Sequence, residues 1–194
     1  MSKGALFNKK FFGFALFMMV SNASYFSFVA ACPFLLKKFG YSPAAVGYAF
    51  CAASFPYMFA SFTGRRLSLT KSSLQIIFLG LILNVIGGTV LLIMYFINWP
   101  HILALMIPVF IITIGNGLLM PFSSANAISL FPKNAGMVTG TLGSMQLTAA
   151  GIGTAVMGII ENGTLYPLGI FVLGIAFLSI IYFLSVFKIS SLKN

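Results

Sequence analysis

Long apolar stretches, interrupted by short polar or basic segments, dominate the chain from end to end. A helix needs about 20 apolar residues to cross the hydrocarbon core of a bilayer, and six stretches reach that length. They cover residues 11–36, 44–63, 74–97, 102–130, 136–160 and 165–187, with basic tails at residues 1–10 and 188–194. The pattern predicts an all-α integral membrane protein with six transmembrane helices.

The amino-acid composition argues against a soluble domain and against a nucleic-acid-binding protein. The 194 residues are 60% hydrophobic and 6% charged, whereas soluble domains carry roughly 25% charged residues, so no soluble surface can be built from them. The net charge of +10 lies in the tails and in the gaps between apolar stretches, which is a topology signal rather than a nucleic-acid-binding face. We therefore expect the lipid bilayer as a partner, and not nucleic acid.

The positive charges also predict an orientation. Nine of the 11 lysines and arginines fall on one side of the predicted spans, and Lys37 and Lys38 on the other. The nine are Lys3, Lys9, Lys10, Arg65, Arg66, Lys71, Lys133, Lys188 and Lys193. Cytoplasmic loops carry the excess of basic residues, so both termini are predicted to be cytoplasmic. The first span is too long for a signal-peptide core and is interpreted as a retained helix.

The chain offers little for catalysis or metal binding. It has one histidine, His101, and one acid, Glu161, which falls in a predicted loop. No catalytic set or metal site can be assembled from them, so neither an enzyme nor a cofactor is expected. Cys32 and Cys51 are interpreted as buried small hydrophobic residues, with a disulfide between them left open. No Asp, Glu, Lys or Arg lies inside a span, although proton-driven transport normally uses an ionisable group at membrane depth.

The fifth span carries a stripe of glycines on one helical face. The intervals between successive glycines are four, three, eight and seven residues, which keeps all five on one face of the helix. Leu147 and Thr154 lie on the same face, in the two longer intervals. In lipid, apolar burial does not drive helices together, and small residues allow backbones to approach closely. We therefore predict a fixed or sliding helix-packing seam at Gly136, Gly140, Gly143, Gly151 and Gly158. Ordinary bundle packing is the alternative for each glycine alone.

Uncharged polar residues interrupt the apolar sequence of the first and fourth spans. The first has a polar and aromatic insert at residues 21–27, and the third is almost wholly apolar apart from Asn84. The fourth carries Asn116, Pro121, Ser123, Ser124 and Asn126. Such groups persist at membrane depth only where protein or a water-filled cavity satisfies them. The pattern predicts that the first and fourth helices face an interior cavity.

The spans also divide into two triplets with a weak internal symmetry. The leading span of each triplet carries a Ser/Asn cluster, Ser21-Asn22-Ala23-Ser24 in one and Ser123-Ser124-Ala125-Asn126 in the other. The closing span of each triplet is apolar nearly all round. Repeats of three spans are inverted in the membrane, as in many secondary transporters. This symmetry predicts two inverted three-helix repeats.

Three motifs carry a resemblance to a known family: Phe39-Gly40-Tyr41-Ser42-Pro43, Gly64-Arg65-Arg66 and the stretch from Gly115 to Gly158. Together they resemble the C-terminal six-helix half of a major facilitator superfamily transporter, most closely the Bcr/CflA drug-resistance exporters. The resemblance covers nearly the whole chain. It departs from the family in the fourth span, where Phe122 rather than asparagine follows Pro121 and the nearest asparagine is Asn126.

The resemblance implies roles for individual residues. In the family the first helix of each triplet lines a central cavity, the second packs between the two halves and the third faces lipid. The implied substrate-cavity residues are Asn22, Tyr25, Phe26, Asn116, Met120, Phe122, Asn126 and Gln146. Aromatic and methionine side chains suit a bulky, mostly apolar solute. Gly64, Arg65 and Arg66 would form a cytoplasmic gate loop, and a solvated positive-inside anchor is the simpler alternative.

We therefore expect the C-terminal half of a proton-coupled efflux transporter in a bacterial inner membrane. It would move small amphipathic or drug-like compounds by alternating access, as a truncated or split chain whose N-terminal six-helix half lies elsewhere. A homodimer of this half is a second possibility and would act only as a uniporter, because it has no titratable group in the membrane. The alternative from a different class is a non-transporting membrane remnant or accessory subunit.

Overall fold

The computed structural model describes residues 8–187 and contains six long α-helices. They are α1 (Lys9–Lys38), α2 (Pro43–Leu67), α3 (Ser73–Ile97), α4 (Ile102–Ser129), α5 (Ala135–Ile160) and α6 (Leu165–Val186). All six are long and apolar enough to cross a membrane, so the predicted all-α membrane architecture with six spans is confirmed. The outer parts of the two predicted tails, with Lys3, Lys188 and Lys193, lie outside the described residues.

Local signals in the sequence set the helix boundaries. The Asn8 carboxamide oxygen accepts from the backbone N–H of Lys10 and caps the start of α1. A capping box between Ser72 and Gln75 begins α3, and this arrangement satisfies two of the orphan donors at a helix start. Gly40, with a positive φ of 82°, makes the tight connection between α1 and α2, which is a conformation that glycine adopts without a steric penalty.

Helices α1 and α4 form the centre of the bundle. In their most apolar segments 61% and 67% of residues are buried, against 17% and 22% in α2 and α5. Helix α1 packs mainly against α5 and α4, whereas α4 packs against α3, α2 and α1. Helix α3 also packs against α6. The two least buried helices, α2 and α5, are therefore held on opposite central helices and keep wide uncovered faces.

The helices are closest where a glycine leaves room for a neighbouring backbone. A Cβ added at Gly80 in α3 would lie 2.8 Å from the carbonyl oxygen of Gly115 in α4. A Cβ added at Gly153 in α5 would lie 2.8 Å from the carbonyl oxygen of Ala23 in α1. Real Cβ atoms do not approach this closely, so both pairs require glycine.

The predicted glycine seam on α5 meets no other helix of residues 8–187. Nothing lies within 4 Å of a Cβ built at Gly136, Gly140, Gly143, Gly151 or Gly158. The glycine that packs inside the bundle is Gly153, on the opposite side of α5 and outside the predicted stripe. The five-glycine stripe is therefore free for a helix from outside this chain.

Three exposed hydroxyl groups of α5 bond within their own helix. Thr139 donates to the carbonyl oxygen of Ala135 over 2.9 Å, and Ser144 to that of Gly140 over 2.8 Å. Thr148 likewise donates to the Ser144 carbonyl over 2.9 Å. These hydroxyls need no partner from a neighbouring helix to satisfy their hydrogen atoms.

The two cysteines differ in environment. Cys32 is buried in α1, as expected, whereas Cys51 is exposed on α2, so its interpretation as a buried residue is wrong. The reason is that α2 contacts the bundle along a narrow face, on which only Ala49, Ala53, Ala60 and Gly64 are buried. Both thiols are free, and the structure contains no disulfide between them.

Candidate functional site

A cavity of about 310 Å³ opens between α1, α2 and α4, near the middle of each helix. Helix α1 contributes Ser21, Asn22, Tyr25 and Phe26; α2 contributes Ala53, Ser54, Tyr57 and Met58; and α4 contributes Thr113, Asn116 and Met120. The wall is mostly aromatic, thioether and aliphatic surface with a few amide and hydroxyl groups. A small-molecule site typically has such a lining, in which sparse polar groups orient an otherwise apolar ligand.

Five of the eight predicted cavity residues meet at this cavity. They are Asn22, Tyr25, Phe26, Asn116 and Met120. Gln146 of α5 is not in the lining, but it lies directly behind Asn22 and shares a hydrogen bond with it. The two central helices therefore supply all five of the predicted residues that line the cavity, whereas Ser123, Ser124 and Asn126 of α4 do not line it.

Asn22 is a junction between three helices. Its Nδ2 donates to the carbonyl oxygen of Met18 over 3.1 Å and to Oε1 of Gln146 over 3.3 Å. Sδ of Met120 in α4 lies 3.5 Å from the same nitrogen. Both amide hydrogens therefore have protein acceptors, and the Asn22 Oδ1 oxygen is the part of the carboxamide that these bonds leave available to a ligand.

Asn116 forms a second junction at the same depth. It is 3% exposed, and its Nδ2 donates to the backbone carbonyl of Ser21 in α1 over 3.2 Å. Its Oδ1 accepts from Nδ2 of Asn84 in α3, also over 3.2 Å. The sequence indicated Asn84 only as the one polar residue of an apolar span. Its hydrogen bond to Asn116 was not predicted from the sequence.

Phe122 and Asn126 lie away from the cavity, further along α4. Phe122 packs beneath Gly64 of α2, where an added Cβ would be 3.0 Å from its ring. Asn126 donates to the Phe122 carbonyl of its own helix over 2.7 Å. Phe122 therefore packs at the end of α2, and neither residue lines the cavity with Asn22 and Asn116.

The predicted gate loop is helical. Gly64, Arg65 and Arg66 form the last turns of α2, which continues to Leu67. The family resemblance implies a loop at these residues, whereas here they continue the helix, where arginines in the last turn are favourable next to the negative end of the helix dipole. Both arginines are exposed and Gly64 is buried.

Helix α2 supplies cavity residues that the sequence did not indicate. Ser54, Tyr57 and Met58 line the cavity, but α2 is rich in Ala, Phe and Ser throughout, so none of them stands out from its neighbours. Helix α2 is held against α4 at Gly117, where an added Cβ would be 2.5 Å from the Tyr57 carbonyl oxygen. This close approach brings Tyr57 to the cavity.

The cavity offers apolar, amide and hydroxyl groups to a ligand. Its lining contains no charged side chain, and residues 8–187 contain no cluster of three His, Cys, Asp or Glu that could hold a metal ion. Glu161, the sole acid of the sequence, follows α5 at the same end of the bundle as Lys38. Burial raises the pKa of its carboxyl group, while backbone hydrogen bonds from Gly163 and Asn162 and the charge of Lys38 lower it to a smaller extent.

The arrangement is therefore an apolar and aromatic cavity bordered by two asparagine junctions, in the middle of helices of membrane-spanning length. In comparisons with known proteins, no family model, no curated protein and no solved structure matches the chain.

Proposed function

We propose that the chain is the C-terminal half of a proton-coupled efflux transporter of the major facilitator superfamily, most like the Bcr/CflA exporters. It binds small amphipathic or drug-like compounds and moves them outward by alternating access across a bacterial inner membrane, with both termini cytoplasmic. The observation that carries the proposal is the cavity between α1, α2 and α4, which lies at mid-length of the helices and has an aromatic and thioether wall. Transporters bind their substrates at this depth.

The packing pattern supports an inverted repeat. Helix α1, which leads the first triplet, packs against α5, the middle helix of the second. Helix α4, which leads the second triplet, packs against α2, the middle helix of the first. The closing helices α3 and α6 also pack against one another. An exchange of this kind is expected of two three-helix units related by a pseudo-two-fold axis in the membrane plane.

The uncovered faces of α2 and α5 support a missing second six-helix unit. Helix α2 carries an aromatic ridge of Tyr48, Phe55, Phe59 and Phe62, whose side chains are 68–75% exposed. Helix α5 carries the glycine stripe, which no described helix covers. Bulky side chains on one helix and glycines on another are complementary shapes for close helix packing in lipid.

The spacings of the ridge and the stripe match in an antiparallel pair. Tyr48, Phe55 and Phe59 are separated by seven and four residues, as are Gly158, Gly151 and Leu147 in the reverse direction. Two of the three aromatic residues would thus face a glycine. In the split transporter the N-terminal half supplies the facing helices, and in a homodimer a second copy of this chain supplies them.

The identity of the partner also determines whether solute transport is coupled to proton movement. The cavity lining has no Asp, Glu, His, Lys or Arg, and proton-driven transport normally uses such a group at membrane depth. In the proposed transporter the N-terminal half carries that group. A homodimer would move its solute only down the solute's own gradient.

Native mass spectrometry of the gently solubilised complex from the chain's own host tests the proposal. We expect a second six-span chain in the complex. Reconstituted together, the two chains should export a fluorescent drug-like compound, and Ser54→Trp, which fills the cavity, should reduce this flux. Leu178→Trp is the matched control, because Leu178 is 66% exposed on α6 and far from the cavity lining.

A non-transporting accessory subunit or remnant is the second candidate. The wide uncovered faces of α2 and α5 suit a protein that only packs against another membrane protein. A stable complex in which wild type and Ser54→Trp give the same background flux would favour this alternative and contradict the transporter.

A further inference from the structure

A continuous chain of hydrogen bonds runs from α3 through α4 to the cavity wall on α1. Asn84 Nδ2 donates to the Gly80 carbonyl oxygen over 3.0 Å and to Asn116 Oδ1 over 3.2 Å. Asn116 Nδ2 then donates to the Ser21 carbonyl oxygen over 3.2 Å. Ser21 and Asn116 both line the cavity, whereas Asn84 lies behind them and is fully buried.

The two ends of this chain fix the orientation of both carboxamides. The groups at the ends are the backbone carbonyls of Gly80 and Ser21, which can only accept hydrogen bonds. Asn84 must therefore present its nitrogen to Gly80, and Asn116 must present its nitrogen to Ser21. The remaining contact joins the nitrogen of Asn84 to the oxygen of Asn116, and no amide can be reversed without placing two acceptors together.

The backbone is shaped to let Asn84 reach Asn116. An added Cβ at Gly115 would lie 2.6 Å from Asn84 Nδ2 and 2.7 Å from the Gly80 carbonyl oxygen. Only glycine at position 115 leaves this path open. The close approach of α3 and α4 and the hydrogen bond between the two asparagines thus depend on the same small residues.

Packing alone does not account for an asparagine at this position. Asn84 Oδ1 is buried and has no hydrogen-bond partner among the described residues, and an unpaired buried acceptor is destabilising. A leucine of similar size would avoid that cost. The gain that Asn84 supplies is the donor that satisfies Asn116.

We propose that Asn84 is a positioning residue that holds the Asn116 carboxamide against Ser21, and thereby sets which hydrogen-bonding groups the cavity offers to a solute. The inference rests on the proposed function in one respect, since it takes the cavity to be the solute site. Without Asn84, the buried oxygen of Asn116 loses its donor and turns toward the cavity, and the bond to Ser21 breaks.

The first test measures the NMR signal of the Ser21 carbonyl, which accepts the hydrogen bond from Asn116. Ser21-Asn22 is the one Ser-Asn pair in the sequence, so the full chain labelled with ¹³C-carbonyl serine and ¹⁵N-asparagine gives a single Ser21-Asn22 correlation in solid-state NMR spectra of lipid bilayers. We expect Asn84→Leu to move this signal, because the carbonyl loses the bond from Asn116. The milder Asn84→Ser should move it too, since a serine hydroxyl can bond to Gly80 but is too short to reach Asn116.

Two further variants separate positioning from general disturbance of α3. Asn84→Asp should keep the native signal, because a carboxyl group buried in this apolar setting stays protonated and its O–H replaces the donor to Asn116. Thr89→Val removes an exposed hydroxyl that bonds only within α3 and should also leave the signal in place. An unmoved signal in Asn84→Leu and Asn84→Ser, or an equal shift in Asn84→Asp, overturns the proposal.

The second test reads the cavity with two neutral probes of similar size. N-phenyl-1-naphthylamine offers an N–H donor and phenyl 1-naphthyl ketone offers an acceptor, and their affinities are measured in nanodiscs against empty nanodiscs. In Asn84→Leu we expect the affinity ratio to shift about 2- to 10-fold toward the amine, which is the range of one hydrogen bond. General destabilisation would weaken both probes together and leave the ratio unchanged.

The outcomes of the two tests distinguish the inference from the proposed function. A shifted Ser21 signal with an unchanged probe ratio overturns the link between Asn84 and the cavity. If neither probe binds the wild-type chain, the proposal that the cavity is the solute site is contradicted. The NMR result still decides whether Asn84 positions Asn116.

Discussion

The Asn22 carboxamide nitrogen donates a hydrogen bond to Oε1 of Gln146 across 3.3 Å, and this contact joins the central helix α1 to the flanking helix α5 beside the cavity. The two residues are 124 positions apart in the sequence. Polar contacts between membrane helices are individually modest, averaging about 0.6 kcal/mol in measured cases. The contact therefore orients α5 more than it stabilises the bundle.

A double-mutant cycle with Asn22→Leu and Gln146→Leu measures this contact. We expect a coupling free energy of about 0.6 kcal/mol in unfolding experiments in mixed micelles. The matched cycle pairs Asn22→Leu with Thr148→Val, because the Thr148 hydroxyl bonds only to the Ser144 carbonyl of its own helix. Equal coupling in the two cycles would contradict a specific bond between Asn22 and Gln146.

Gly153 and Gly151 should differ in their response to the same substitution. A Cβ at Gly153 would be 2.8 Å from the Ala23 carbonyl oxygen, whereas nothing lies within 4 Å of one at Gly151. Since a backbone atom cannot move aside as a flexible side chain can, we expect Gly153→Val to lower the free energy of unfolding by about 1–3 kcal/mol. Gly151→Val should leave it nearly unchanged. Similar losses in both variants would show that α5 packs through another face.

The aromatic ridge and the glycine stripe should meet when the chain is expressed without any other half. In a Cys51→Ser background, we expect Tyr48→Cys combined with Gly158→Cys to form covalent dimers on mild oxidation, measured on non-reducing gels. The control replaces Gly158→Cys with Gly174→Cys, since Gly174 is an uncrowded glycine on α6. Equal dimer yield from both pairs, or from Tyr48→Cys alone, would contradict the antiparallel match.

Stability should fall as the pH rises through the titration of Glu161. Its Oε1 accepts from the Gly163 backbone N–H over 2.5 Å, while Oε2 is buried without a hydrogen-bond partner among the described residues. Burial raises the pKa of this carboxyl above its ordinary value of 4.5. The folded chain therefore binds the proton more tightly than the unfolded chain. The resulting stability is fully present below pH 4.5 and is lost as the pH rises through the folded pKa.

The thermal midpoint, measured in detergent between pH 4 and pH 8, checks this expectation. Glu161→Gln should remove the decline, because a neutral amide does not titrate, and the variant should be the more stable chain at pH 7. Glu161 is the only Asp or Glu in the sequence, so no other carboxyl side chain contributes. If the thermal midpoint of Glu161→Gln declined with pH by the same amount, a group other than Glu161 would be responsible for the pH dependence.

The six helices were predictable because each apolar stretch is long enough to cross a bilayer and ends at basic or turn-forming residues. The contributions of α1 and α4 to the cavity were predictable in part, since Asn22 and Asn116 stand out against apolar neighbours. Tyr57 and Asn84 were not, because their roles depend on contacts with α4 that are distant in the sequence. The glycine stripe indicates that a backbone can approach α5 closely, but not which helix does so. The sequence alone therefore could not show that Gly153, rather than Gly151, packs inside the bundle.

The internally bonded hydroxyls on α5 bear on the order in which such a protein is made. Thr139, Ser144 and Thr148 satisfy their hydrogens on their own helix, so lipid contact leaves these three hydroxyl donors paired. In the proposed split transporter, these three hydroxyls would not require the other half during synthesis and insertion of the six helices. Under that proposal, two halves made from separate messages would each enter the bilayer and associate afterwards by lateral diffusion.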